Sequence, residues 1–229
     1  MSNNICKYRH THPLIDKEYE KTRIIDCYGI KVKYSISNDG SGSIFKDMFV
    51  KTIKNIFPNN KFKHCLEWCS GPGFIGFSLL GSNIIEKLSL SDIHQPALDQ
   101  AIETIKENDL ENVNVFLSDG FQNIPQELKF DLIIGDPPMF NYVHYQHEFY
   151  NYDQRLYLDT DWMAHRNFFK EASKYLEDDG SIILLENAYG CGVGTFREMI
   201  ESSNLKIETH FYQDNKPGYL WYLHVKKNV

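Results

Sequence analysis

Residues 65–76 read CLEWCSGPGFIG. An apolar run enters a glycine-rich turn, and a helix-compatible apolar stretch leaves it, so the segment reads strand, turn, helix. Gly71, Gly73 and Gly76 match G-x-G-x-x-G, the spacing at which such a turn lets a nucleotide-type ligand approach the backbone. The same glycines also suit a turn that holds no ligand. What surrounds the stretch separates these readings.

Working outward, strands are expected near 62–68, 87–91, 113–118, 130–135 and 181–187, with helices at about 74–81, 96–108 and 160–177. This alternation implies a parallel sheet with right-handed crossovers. The end departs from it. A helix near 193–203 precedes LKIETHFYQD (205–214) and YLWYLHVKK (219–227), joined by a turn at Asn215–Gly218. A link that short makes the two strands antiparallel. Ahead of the sheet, RIIDCYGIKVKYSI (23–36) alternates like a β-hairpin around Tyr28-Gly29. Ile44, Phe45, Met48, Phe49, Ile53, Ile56 and Phe57 follow at helical spacing, with Ser43 as N-cap and Pro58-Asn59-Asn60 as the stop. The turn NDGSGS (38–43) is placed to meet a ligand. The expected fold is a Rossmann-like α/β sheet of seven strands closed by a C-terminal antiparallel hairpin. Residues 1–60 form an N-terminal extension on the substrate or lid side, and 61–229 form the main domain.

The bulk numbers bound the function. A chain of 229 residues, 42% hydrophobic and 14% aromatic, fills one α/β core. A formal net charge of −7 argues against an autonomous grip on RNA or DNA, though not against a local basic groove. No apolar run is long enough for a membrane span, and MSNNICKYRHTHPL has no secretory core segment. Cys6, Cys27, Cys65, Cys69 and Cys191 form no C-x-x-C pair, which suits reduced thiols in a cytoplasmic protein.

Four acidic groups fall at strand ends. Asp92 closes the second strand 21 residues after Gly71, where a carboxylate accepts from both hydroxyls of a ribose. Glu67 lies four residues before Gly71. It would repel a diphosphate and favour a ligand carrying an ammonium and a sulfonium. Asp119, in LSDGF (117–121), suits an adenine amino group. FDLIIGDPPMF (130–140) closes the fourth strand with Asp136-Pro137-Pro138.

With these four motifs in this order, the chain resembles the class I S-adenosylmethionine-dependent methyltransferases, in the branch with an [N/D]-P-P-[aromatic] motif. That branch includes glutamine N5- and adenine N6-methyltransferases. The resemblance is firm from Phe62 to Phe140 and looser beyond. It implies S-adenosylmethionine as cofactor. Glu67 and the loop Cys69, Ser70, Gly71 and Gly73 would hold the methionine part. Asp92 would take the ribose and Asp119 the adenine, with Ile93 and Gly120 also against the cofactor, and Asp136 would face both cofactor and acceptor. The sequence departs from the motif where Met139 stands in the aromatic's place, with Phe140 next.

A methyl acceptor must be aligned with the sulfonium and shielded from water. The Asp136 carboxylate and Pro137 carbonyl can accept both hydrogens of an NH2 group and aim its lone pair, and the two prolines stiffen the turn. The same turn could simply end a strand. The insert 141–169, rich in Tyr, Phe and His, reads as acceptor pocket and lid, or as a surface loop with a satellite core. Tyr142, with Tyr145, Tyr150 and Tyr152, would surround a cation. His144, His147, Glu148, His10 and His12 lack further ligands at metal spacing, so no metal is expected. His165 and Arg166 either touch a substrate carboxylate or belong to a solvated face. Trp68 and Phe74 suit the core. The expected acceptor is a small-molecule or amino-acid-like amine or amide. The alternatives are an adenine in nucleic acid, a protein glutamine, another reaction of the sulfonium, and a non-catalytic binder.

Overall fold

The computed structural model describes residues 21–141, 154–212 and 218–229. Tyr142, Tyr145, Tyr150, Tyr152, His144, His147, Glu148, His10, His12 and Cys6 lie outside them, as does most of the turn expected at 215–218.

A two-stranded hairpin comes first, β1 (Thr22–Cys27) and β2 (Ile30–Ser35), followed by helix α1 (Gly42–Ile56). The main sheet is built from β3 (Phe62–Trp68), β4 (Ile85–Asp92), β5 (Val113–Leu117), β6 (Phe130–Gly135), β7 (Leu176–Asn187), β8 (Leu205–Tyr212) and β9 (Leu220–Lys227). Helices α2 (Phe74–Gly81), α3 (Gln95–Glu107), α4 (Met163–Tyr175) and α5 (Val193–Glu201) connect them. The strand order is β5-β4-β3-β6-β7-β9-β8. The neighbours from β5 to β7 pair parallel, whereas β9 is antiparallel to both β7 and β8. The seven-stranded Rossmann-like sheet with its antiparallel hairpin is therefore as expected from the alternation and the short terminal link. The order reverses between β3 and β6. Ligands of such sheets bind at that point, outside the carboxyl ends of the strands.

Helix α2 explains the N-terminal segment. Phe74, Ile75, Phe77 and Leu79 are all buried, so this helix needs cover on every side. The sheet covers one side. The other is covered by the hairpin and α1, where Tyr34 meets Phe74 edge-to-face at 4.8 Å. Residues 22–57 thus share one hydrophobic core with the sheet. The second core, on the opposite face, contains Trp68, Phe168, Phe169, Phe196 and Trp221.

Several boundaries differ from the sequence reading: β7 begins at Leu176, five residues early, and α1 begins at Gly42 behind Ser41, so Ser43 lies inside the helix and is not its N-cap. β4 begins at Ile85, two residues early. The helix expected at 160–177 divides into a 3-10 turn, Thr160–Trp162, and α4. Asp161 and Trp162 both take left-handed φ, 56° and 55°, which interrupts a helix. The Asp159 carboxylate restarts it by accepting from the amides of Ala164 and His165. Apolar spacing alone shows no break there.

Candidate active site

At the carboxyl ends of β3, β4, β5 and β6 a cavity opens beneath the turn at 37–42 and the segment 155–158. Glu67, Cys69, Ser70, Gly71, Asp92, Ile93, Asp119, Gly120 and Asp136 all line it. Of the residues expected from sequence, Gly73, Pro137 and Phe140 do not line it, and Tyr142 lies outside the described residues.

The loop is built by backbone geometry. Cys69, Gly71 and Gly73 all have positive φ. The Ser70 amide donates to the Ser91 carbonyl at 3.1 Å, which fastens the loop to β4. Gly73 is a packing glycine, because a Cβ there would sit 2.8 Å from Leu90 and Phe77. Gly76 has a different duty. A Cβ there would lie 2.5 Å from Glu67 Oε2, the atom that accepts the Gly76 N–H at 2.7 Å. Bare backbone is what lets the Glu67 carboxyl reach the amino end of α2. Glu67 is 2% exposed, and this burial pushes its carboxyl up to about 8 against the pull of the Gly76 and Ile75 amides.

Asp92 is held by its two ends. Oδ2 accepts from the Gly71 amide at 2.7 Å and Oδ1 from the His94 amide at 2.8 Å. Each oxygen keeps a lone pair for a ligand hydroxyl. Burial raises the Asp92 carboxyl, and the Gly71 and His94 amides oppose the rise. Asp119 and Gly120 follow β5, with Gly120 at φ 55° and its carbonyl accepting from Ser118 Oγ. Asp136 follows β6. Desolvation lifts its carboxyl well above the usual range, and the charges of Glu186, Glu67 and Asp39 add to this.

Phe140 serves the wall behind the cavity. Its amide donates to the Tyr157 carbonyl at 3.0 Å, and its carbonyl accepts from the Asp159 amide at 2.9 Å. This strand-like pairing draws Leu156 and Leu158 to the cavity instead of the Phe140 ring. Met139 is buried, with its carbonyl against Gly190. Trp68 and Phe74 are core residues that also line the cavity. His165 fits neither sequence reading. It is fully buried, with both ring nitrogens on carboxylates. Arg166 is exposed and donates to the Asp161 carbonyl.

Sequence reasoning missed His94, Arg155, Leu156 and Leu158. The turn 38–43 signalled Asn38, Gly40 and Gly42, and all three line the cavity. Asn38 reaches His94 at 3.2 Å, and Asp39 caps the start of α1 through the amides of Ser41 and Ser43.

The donor set suits S-adenosylmethionine. Four carboxyl groups, Glu67, Asp92, Asp119 and Asp136, face a ligand whose polar groups include an ammonium, a sulfonium, ribose hydroxyls and an amino group. A diphosphate would find no cation among these four acidic groups, and would hold Glu67 and Asp92 protonated.

Comparison with known proteins agrees. A family model described as the methyltransferase small domain matches residues 46–209. A ribosomal RNA small subunit methyltransferase C from Haemophilus influenzae is 31% identical over 176 residues, 76% of this chain and 46% of that protein. A ribosomal protein uL3 glutamine methyltransferase from Francisella tularensis is 35% identical, over 52% of this chain and 40% of that protein. The chain thus spans about half the length of the curated relatives it matches. A 16S rRNA methyltransferase from T. thermophilus, solved with AdoMet and guanosine, superimposes with a TM-score of 0.62 at 13% identity. The match covers 90% of this chain and 50% of that one. Among the described residues no helix is long and apolar enough to cross a membrane.

Proposed function

We propose, from the premise that this chain belongs to the methyltransferase small domain family and is S-adenosylmethionine-dependent, that it methylates a planar amino nitrogen on a macromolecule, with an RNA base as the first candidate. The observation that carries the nitrogen acceptor is the Asp136-Pro137-Pro138 turn, whose carboxylate lines the same cavity as Glu67, Asp92 and Asp119. An amino group conjugated to a ring or a carbonyl is a poor nucleophile until its lone pair is turned out of conjugation. The Asp136 carboxylate, which lines the cavity, can accept from that group and do this, and it also stabilises the positive charge that grows on nitrogen.

The cofactor, when bound, supplies a methyl group on a sulfonium. Glu67 and the Cys69–Gly71 loop would hold its amino-acid end, Asp92 its ribose and Asp119 its adenine, with Ile93 and Gly120 lining the cavity between them. Leu156, Leu158 and the turn at 37–42 exclude water above it. The expected small-molecule acceptor finds no support in these curated relatives, whose names carry ribosomal RNA and protein glutamine. The RNA reading rests on the longer match, over 76% of the chain. With a net charge of −7 it requires recognition at the base itself, extruded to the Asp136 turn, more than along the phosphates. The glutamine reading is the second, favoured by that same acidic charge.

The test is transfer of labelled methyl from S-adenosylmethionine to ribosomal subunits, free ribosomal RNA, ribosomal proteins with a release factor, and a panel of small amines. Label released by ribonuclease supports the RNA base. Label recovered as methylglutamine after proteolysis moves the second reading to first. Label in small amines alone overturns both.

A further inference from the structure

Behind the Asp136 turn lies a cluster the proposed reaction does not use. His165, on the first turn of α4, is fully buried. Its Nδ1 lies 2.6 Å from Asp159 Oδ2, and its Nε2 lies 3.1 Å from Glu186 Oε1. Glu186 is fully buried near the end of β7, and its other oxygen accepts from the Cys191 thiol at 3.3 Å. Asp159 is 4% exposed.

The hydrogen-bond count decides the charge of the ring. A neutral imidazole has one donor and one acceptor, and an ionised carboxylate has acceptors only. With a carboxylate at each nitrogen, only the doubly protonated ring satisfies both contacts. Its packing is apolar: Trp68 and Trp162 lie edge-on at 5.3 and 5.4 Å, and Phe196 stacks at 4.7 Å. Burial alone pulls the ring down. The Glu186 charge and the Asp159 and Glu186 hydrogen bonds outweigh that, and His165 rises to about 9.

The cluster is tied to the acceptor side in two ways. Asp159 donates its amide to Phe140, so the same residue that holds His165 also holds the end of the Asp136–Phe140 segment. Glu186 sits on the strand beside β6, and its charge acts on Asp136. The other groups facing Asp136 are Glu67 at the end of β3 and Asp39 before α1, and Cys69 feels both Asp136 and Asp159. Three carboxyl groups therefore converge here, Asp136, Glu186 and Asp159. Without a cation on it, the Glu186 charge would hold Asp136 protonated still more firmly, and a protonated carboxyl cannot accept with both oxygens.

We propose that His165 is a positioning residue, a buried imidazolium clamped between Asp159 and Glu186 that fixes the Asp136–Phe140 segment and partly offsets the Glu186 charge beside Asp136. Its value to the reaction rests on Asp136 facing the acceptor nitrogen, but the charge coupling is measured without any acceptor. That separates its failure from failure of the functional reading.

Nitrogen NMR of the histidine rings reads the state of His165 directly, and carbon NMR of carboxyl-labelled aspartate reads Asp136, assigned by its loss in Asp136→Asn. The expected result is a doubly protonated His165 at neutral pH. In His165→Gln the Asp136 titration moves to higher pH. In His165→Gln with Glu186→Gln it moves back toward its original position. In Glu186→Gln alone it moves below it. Binding of S-adenosylhomocysteine checks that each variant folds. Should His165→Gln fail that check, Glu186→Gln and the ring spectrum of the unaltered protein still decide. A neutral His165 ring at pH 7, or an Asp136 titration that ignores these substitutions in folded protein, overturns the proposal.

Discussion

Cofactor binding should release a proton from Glu67. This carboxyl is 2% exposed, faces the cavity, and is pushed by burial from 4.5 to about 8. At pH 7 a group titrating at about 8 is about nine-tenths protonated. If it meets the α-ammonium of the ligand it must ionise, and that costs about 1.4 kcal/mol at pH 7, or a factor of about ten in affinity. The ligand's own α-amino group is that of a free amino acid and stays protonated at pH 7, so the net release is the ~0.9 proton from Glu67. Affinity for S-adenosylhomocysteine should then rise close to tenfold from pH 6 to 7. It should flatten near 8 and fall above it, as the ligand loses its charge. The assay is calorimetry at pH 7 in phosphate and in Tris, where the difference in apparent enthalpy reports the protons exchanged. Glu67→Gln should show neither the release nor the rise. A wild-type binding enthalpy that is the same in both buffers, with affinity flat from pH 6 to 8, would refute the assignment of Glu67 to the ammonium.

Other outcomes follow from the same geometry. Asp92→Ala removes the acceptor oriented by the Gly71 and His94 amides, and cofactor affinity measured by titration should fall by about 2–3 kcal/mol. Asp136→Ala should leave that affinity nearly intact while turnover on the identified acceptor drops by roughly two to three orders of magnitude, with Asp136→Asn milder. Gly76→Ala forces a Cβ to within 2.5 Å of Glu67 Oε2, so thermal scans should show destabilisation together with weakened cofactor binding. The His165 ion pairs should give a pH-dependent stability. The folded-state value of about 9 lies above the usual 6.5, so the contribution is full below pH 6.5 and fades as pH rises toward 9. It is worth on the order of 3 kcal/mol, and denaturant melts of wild type against Glu186→Gln should converge across that window.

Much of the site was legible because each of its motifs is local. A strand that must end in a turn places its last polar residue at the sheet's carboxyl edge. Glu67, Asp92, Asp119 and Asp136 each follow or close an apolar run, so reading where those strands end delivered all four to the same rim. The parallel order came from helices alternating with strands, and the antiparallel end from a link too short to cross over. None of these inferences needs to know which distant residues touch.

The rest depended on contacts between elements far apart in the chain. Gly73 and Gly76 look alike in the motif. Leu90 of β4 and Phe77 of α2 make Gly73 a packing position, and Glu67, with Leu88 beside it, makes Gly76 a carboxyl's berth. Phe140 left the cavity because its backbone found a partner in residues 157–159. His165 became a buried cation only when α4 met β7, which brought Glu186 to Nε2 while Asp159, just ahead of the helix, holds Nδ1. Its sequence neighbourhood, MAHRNFF, reads equally well as a solvated helix start. Local pattern determines which way a side chain leaves the backbone. Its charge state and its task are set by what the fold then packs against it, since desolvation and pairing act over a few ångströms in space and have no fixed distance in sequence.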